Sequence, residues 1–185
     1  LTFAPHKFYG VTGIGVLIKK KNTSLRPQID GGKSSTVYRS GTPETANIAA
    51  LETALSISLA TRKERYRIVE ELYNTLRENL LTYPKVTINN TKNSIPYTLN
   101  FSIKGVKAIE VQQQLEKNKI YVSTKTSCCP IATPSKLVYA LTKDKNKASS
   151  SIRVSLSHLT TKKEIEIFIS IFDKIYKENE ENGKI

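Results

Sequence analysis

Four short clusters hold the side chains able to do chemistry: His6-Lys7, Arg39-Ser40-Gly41-Thr42, Ser127-Cys128-Cys129 and Ser151-Ile152-Arg153-Val154-Ser155. A lysine amine condenses with aldehydes, a cysteine thiolate is a sulfur nucleophile, and an arginine fork grips a carboxylate with two parallel hydrogen bonds. Taken singly, none of the clusters outweighs an ordinary structural reading. A lysine is most often solvated surface, a strand arginine an ion-pair partner, and a buried cysteine a small hydrophobe. No metal site is expected.

The elements that must position these groups are readable from periodicity. Residues 1–43 are rich in glycine and β-formers, with a strand expected over 14–18. Ile48, Leu51, Leu55 and Leu59 then recur at helical spacing behind a Thr42-Pro43 start, and Ile68, Val69, Leu72, Leu76 and Leu80 continue the period to Pro84. This predicts one long kinked helix or two consecutive ones, hinged at the charged stretch 62–67. Beyond Pro84 the pattern predicts strands at 86–88 and 97–103, a helix at 109–116 and a short strand at 120–122. A Ser/Thr/Cys loop over 123–134 leads to a short helix to Thr142 and a strand at 151–156. Thr161 with Glu164 forms a capping box for a terminal helix through about Asn179. The expected architecture is α/β, a small mixed sheet with helices on one face.

Composition narrows the class. The 185 residues are 38% hydrophobic and 24% charged, which excludes a disordered chain, and no run approaches the ~20 apolar residues of a membrane span. Against 16 Asp and Glu stand 29 Lys and Arg, a net charge of +13. Such a surplus suits nucleic acid or an acidic membrane, but the lysines are dispersed among Asn and Ile, with no arginine-rich stretch or aromatic-interleaved ribonucleoprotein motif. The charge is therefore read as solvated surface, with neither nucleic acid nor membrane as partner. Two adjacent cysteines build no long-loop disulfide framework, so a reducing, cytoplasmic compartment is expected. With no methionine and Leu1 first, the chain reads as a fragment or a processed chain.

Order and spacing join the clusters. Pro5-His6-Lys7-Phe8-Tyr9-Gly10 precedes Gly13-Ile14-Gly15-Val16-Leu17, and Gly31-Gly32 stands shortly before Arg39-Ser40-Gly41-Thr42. Tyr121-Val122-Ser123-Thr124 leads to Thr126-Ser127-Cys128. Pro134-Ser135, Ser151-Ile152-Arg153-Val154-Ser155-Leu156 and Thr160-Thr161 with Glu164-Ile165 complete the series. From residue 3 to about 172 the sequence resembles the cysteine desulfurases, pyridoxal-phosphate enzymes of the class V aminotransferase group. The resemblance implies the C-terminal part of a fold type I large domain at 1–62, with its linking helix, and a small α/β domain carrying the cysteine loop at 63–185. It implies that Lys7 holds pyridoxal phosphate as an imine and moves protons, while His6 contacts the cofactor phosphate. Thr42 matches the threonine that reaches the phosphate of the other subunit in a homodimer. Arg153 matches the arginine that grips the substrate carboxylate, and Cys128 the acceptor of sulfur as a persulfide. L-cysteine becomes L-alanine, and the sulfur passes to an acceptor or scaffold protein for iron-sulfur cluster or thionucleoside synthesis.

The departures carry information too. Ala4 replaces a serine that often binds the phosphate, Val11-Thr12 a Pro-Lys, Ser34-Ser35 a Gln-Glu, and Lys125 a glycine of the cysteine loop. The family's ring-stacking histidine and its aspartate on the pyridine nitrogen both lie upstream of the lysine, whereas here only six residues precede Lys7 and the only histidines are His6 and His158. The resemblance is thus to the C-terminal half, and the polypeptide alone is expected to be inactive. Alternatives remain open: Cys129 as acceptor, a vicinal disulfide, or two inert thiols; a selenocysteine lyase or another class V aminotransferase; or a basic module binding RNA or a partner, with vestigial motifs.

Overall fold

A computed structural model describes residues 1–32, 36–126 and 133–185. The chain divides into two compact units, Leu1–Lys63 and Glu64–Ile185.

In the first unit, β1 (Thr2–Phe3) pairs antiparallel with β2 (Val16–Leu17). The strand expected over 14–18 is shorter, two residues, with one further pairing beyond it, where Ile18 N donates to the Leu1 carbonyl and the Leu1 amine to the Ile18 carbonyl, both at 2.8 Å. A 3₁₀ turn, Pro5–Phe8, lies between the strands, started by proline and closed by Tyr9 at φ 72°. Gly10 then passes so close behind the turn that a Cβ there would sit 2.6 Å from the Cβ of Pro5. Only glycine permits that approach.

Helix α1 (Thr45–Leu81) is one continuous helix of 37 residues. The expected hinge at 62–67 is helical, since arginine, lysine and glutamate are good helix formers and neither glycine nor proline interrupts 45–81. Its two halves differ in burial. Val69, Leu72, Leu76 and Leu80, at helical spacing, are buried, whereas Ile48 and Leu59 are 47% and 61% exposed.

The second unit contains β3 (Val86–Ile88), β4 (Thr98–Ile103), α2 (Ala108–Lys117), α3 (Lys136–Thr142), α4 (Lys145–Ser149), β5 (Ser151–Ser155) and α5 (Lys162–Glu181). Its sheet has the order β3-β4-β5 and is antiparallel at both interfaces, where a mixed sheet was expected. The strand expected at 120–122 does not form, and that segment reaches β5 only through the bridge between Ser123 and Arg153.

Register sorts the sheet into two faces. Val86, Leu99, Phe101, Ile103, Ile152 and Val154 join the core with Val111 and Leu115 of α2, the buried stripe of α1 and the apolar face of α5. At its centre Phe172 meets Phe101, Tyr83 and Phe168 at ring separations of 5.5, 5.2 and 5.9 Å. The second face is polar and carries Thr98, Asn100, Ser102, Ser151 and Arg153. Helices are not confined to the apolar face: α4 joins the polar one, where Ser102 Oγ donates to the Lys147 carbonyl at 2.8 Å. Local caps hold these helices in place. Ser135 accepts from Val138 N in α3, Asp144 from Asn146 N and Lys147 N in α4, and Thr161 with Glu164 closes the capping box of α5.

Candidate functional site

The candidate residues of the first unit sit on turns. His6 and Lys7 are exposed on the 3₁₀ turn, whose Lys7 amide donates to the Ala4 carbonyl at 3.1 Å. Ser58 of α1 donates through Oγ to the Phe8 carbonyl at 3.4 Å, tying the turn to the helix. The two glycine-containing segments also meet. Ser40 Oγ donates to the Asp30 carbonyl at 2.8 Å, and Gly31, at φ 142°, lies so near that a Cβ would come within 2.9 Å of the Ser40 side chain. Arg39 Nη1 donates to the Ser40 carbonyl at 3.1 Å, and Thr42 is exposed just beyond. Among the described residues no hydrogen bond joins the side chains of His6 or Lys7 to Thr42.

Arg153 occupies a different setting in the second unit. It stands on the polar face of β5 and lines a cleft of about 220 Å³ with Asn89, Asn100, Lys125, Ser135 and Leu141. Its backbone exchanges two hydrogen bonds with Ser123, at 2.6 and 3.1 Å, and its Nη2 donates to Ser123 Oγ at 3.1 Å. Its Nε is buried without an acceptor among the described residues. Among the described residues no aspartate or glutamate lines the cleft. A buried guanidinium N–H left unpaired is costly, so such an atom calls for an acceptor beyond the described residues.

Beyond the Ser123 bridge the chain continues through Lys125 and Thr126, both of which line the same cleft. Ser127, Cys128 and Cys129 lie outside the described residues. The stem of the cysteine loop is therefore placed beside the arginine, while the thiols themselves are not described. Sequence reasoning passed over Ser123 as the partner of Arg153 and Asn100 as its cross-strand neighbour. The polar half of the period-two pattern over 98–103 was the available signal for Asn100.

The sequence profile of the family described as Aminotransferase class-V matches residues 1–168. The chain belongs to the class-V aminotransferases. A NifS/IcsS protein homolog of Lactobacillus delbrueckii subsp. bulgaricus is 31% identical over 180 residues, covering 96% of this chain and 47% of that protein. The cysteine desulfurase IscS of Dictyoglomus turgidum is 30% identical over 178 residues, covering 95% and 45%. The solved structure of a NifS-like protein from Rickettsia africae superposes with a TM-score of 0.83 at 30% identity, covering 95% of this chain and 47% of that one. This class-V aminotransferase chain thus spans about half the length of the curated relatives it matches. Among its described residues no helix is long and apolar enough to cross a membrane, and no group of acidic, histidine or cysteine side chains could hold a metal ion.

Proposed function

We propose that the chain is the part of a cysteine desulfurase that reads the carboxylate of L-cysteine and receives its sulfur. The observation that carries this reading is the Arg153 cleft: among the described residues, a buried Nε without an acceptor, no lining carboxylate, and the stem of the cysteine loop hydrogen-bonded to the same arginine. The desulfurase names of the relatives support it.

The donor chemistry of the first unit fits pyridoxal phosphate. Lys7 presents an exposed primary amine, the side chain type that holds an aldehyde as an imine, and His6 beside it is an exposed imidazole able to donate to a phosphate. Thr42 is a third candidate, for the phosphate of a second subunit, while Ala4 offers no hydroxyl. When bound, the cofactor supplies the electron sink that makes carbon-sulfur cleavage feasible. This chain's own groups do the rest. Arg153 orients the substrate by its carboxylate, Lys7 Nζ moves protons, and the Cys128 thiolate attacks the substrate sulfur. A sulfur-sulfur bond forms as the carbon-sulfur bond breaks, and the electron pair of the broken bond stays with carbon, which takes up a proton to give alanine. The persulfide on Cys128 then passes its outer sulfur to an acceptor or scaffold protein.

In this reading Leu1–Lys63 belongs to the cofactor domain and Glu64–Ile185 is the small domain; the complete enzyme is a cytoplasmic homodimer. The test is Arg153→Lys in the protein purified from its native host. Lysine keeps the charge but loses the planar fork, so KM for L-cysteine should rise roughly tenfold or more with the cofactor absorbance unchanged. An unchanged KM contradicts the assignment.

A further inference from the structure

Hydrogen-bond polarity across the second face of the sheet fixes which way one further side chain of the Arg153 cleft points. The sequence of bonds begins at a main-chain carbonyl, that of Lys147, which accepts from Ser102 Oγ at 2.8 Å. A carbonyl has no proton to give, so the hydroxyl proton of Ser102 is committed there. Ser102 Oγ must accept from its other neighbour, at 2.8 Å, which is therefore the amide nitrogen of Asn89. The same Asn89 Nδ2 lies 2.7 Å from the Asn100 side chain, so the Asn100 atom facing it is the carbonyl Oδ1. Asn100 Nδ2 is left turned away from β3, toward the cleft. The backbone on either side is pinned, because Asn100 N donates to Asn90 Oδ1 at 2.7 Å and Asn90 Nδ2 donates to the Thr98 carbonyl at 2.8 Å.

Directly opposite Asn100 in the β4-β5 register stands Arg153, and both line the same cleft. Among the described residues Arg153 Nε is buried without an acceptor, and Asn100 Nδ2 has no hydrogen-bond partner. Two adjacent donors with no acceptor among the described residues, in a cleft whose described lining holds no carboxylate, suit an anion. We infer that Asn100 is a second binding residue for the substrate carboxylate, its Nδ2 sharing with Arg153 Nε an anion that neither finds among the described residues. This inference rests on the carboxylate reading of Arg153 proposed above.

Asn100→Asp is the discriminating variant. Its carboxylate still accepts from Asn89, so the relay survives, but the outward donor becomes a negatively charged oxygen. The 185-residue chain is titrated with L-alanine, the amino acid the proposed reaction leaves, and with L-alaninamide, which lacks the carboxylate. Nitrogen-edited NMR follows the Asn100 side-chain amide and the Arg153 Nε–H. L-alanine should shift both resonances saturably and L-alaninamide neither. Asn100→Ala should weaken L-alanine binding roughly tenfold and Asn100→Asp by about a hundredfold, from loss of a charge-assisted hydrogen bond and then added repulsion. If Arg153→Ala abolishes binding while Asn100→Asp leaves the affinity unchanged, the role of Asn100 is overturned and that of Arg153 stands. No shift in the parent chain, or full affinity in Arg153→Ala, overturns the carboxylate reading itself and this inference with it.

Discussion

Arg153 and Tyr83 show how far single side chains are set by their surroundings. The arginine has its Nη2 held by a serine hydroxyl and its Nε by none of the described residues. Tyr83 has the opposite circumstance: its hydroxyl donates to Asp173 Oδ1 at 3.3 Å, while the other Asp173 oxygen holds Lys177 at 2.6 Å. Burial first, and then the Asp173 charge and hydrogen bond, push the Tyr83 hydroxyl up from the ordinary 10 to about 12. Because the folded state holds this proton more tightly, the contribution to stability is complete below pH 10 and is lost as pH climbs from 10 to about 12. Ultraviolet titration should show one tyrosine ionising last, a step absent in Tyr83→Phe, and the loss of stability over that window should be smaller in the variant. If all tyrosines ionise together, the contact with Asp173 does not hold the proton. Arg153 itself is legible in the sequence, since it sits in a local motif. Asn100 and Ser123 are not, because what matters about them is their pairing with a residue thirty or more positions away, and register is a tertiary property.

Helix α1 is the element whose sequence says most and conceals most. Its apolar period and its freedom from glycine and proline make it legible along its length, yet the same period marks Leu59 and Leu76 as equals. Packing separates them: Leu76 is fully buried in the core of the second unit, while Leu59 is 61% exposed. Leu76→Ala should therefore cost about 3 kcal/mol of unfolding free energy and Leu59→Ala under about 0.5 kcal/mol, as read by urea denaturation of the 185-residue chain. Equal losses would contradict the burial pattern. The capping box of α5 was legible because it is a local exchange of hydrogen bonds between Thr161 and Glu164. Helix α4 was not, because five residues, four of them polar or charged around Ala148, carry no apolar period, and its Asp144 cap resembles any loop aspartate. The short strand at 120–122 failed for the converse reason: its apolar pattern is strand-like, but only Ser123 finds a partner on β5.

At the scale of the whole molecule the chain is a class-V aminotransferase of about half its relatives' length, with a net charge of +13. The amine, the arginine proposed to read the carboxylate and the two thiols are all in its sequence; the ring-stacking histidine and the acid at the pyridine nitrogen that the family resemblance calls for are not. Purified alone and supplied with pyridoxal phosphate and L-cysteine, the 185-residue chain should form alanine no faster than cofactor free in buffer. Catalysed turnover by this chain would contradict the proposed need for those groups. The sulfur step allows the most direct test. The protein is purified from its native host, treated with L-cysteine, and the peptide carrying Cys128 and Cys129 is analysed by mass spectrometry after alkylation. The account predicts a peptide heavier by one sulfur atom, retained in Cys129→Ser and lost in Cys128→Ser; a persulfide that survives Cys128→Ser, or none formed at all, would contradict it.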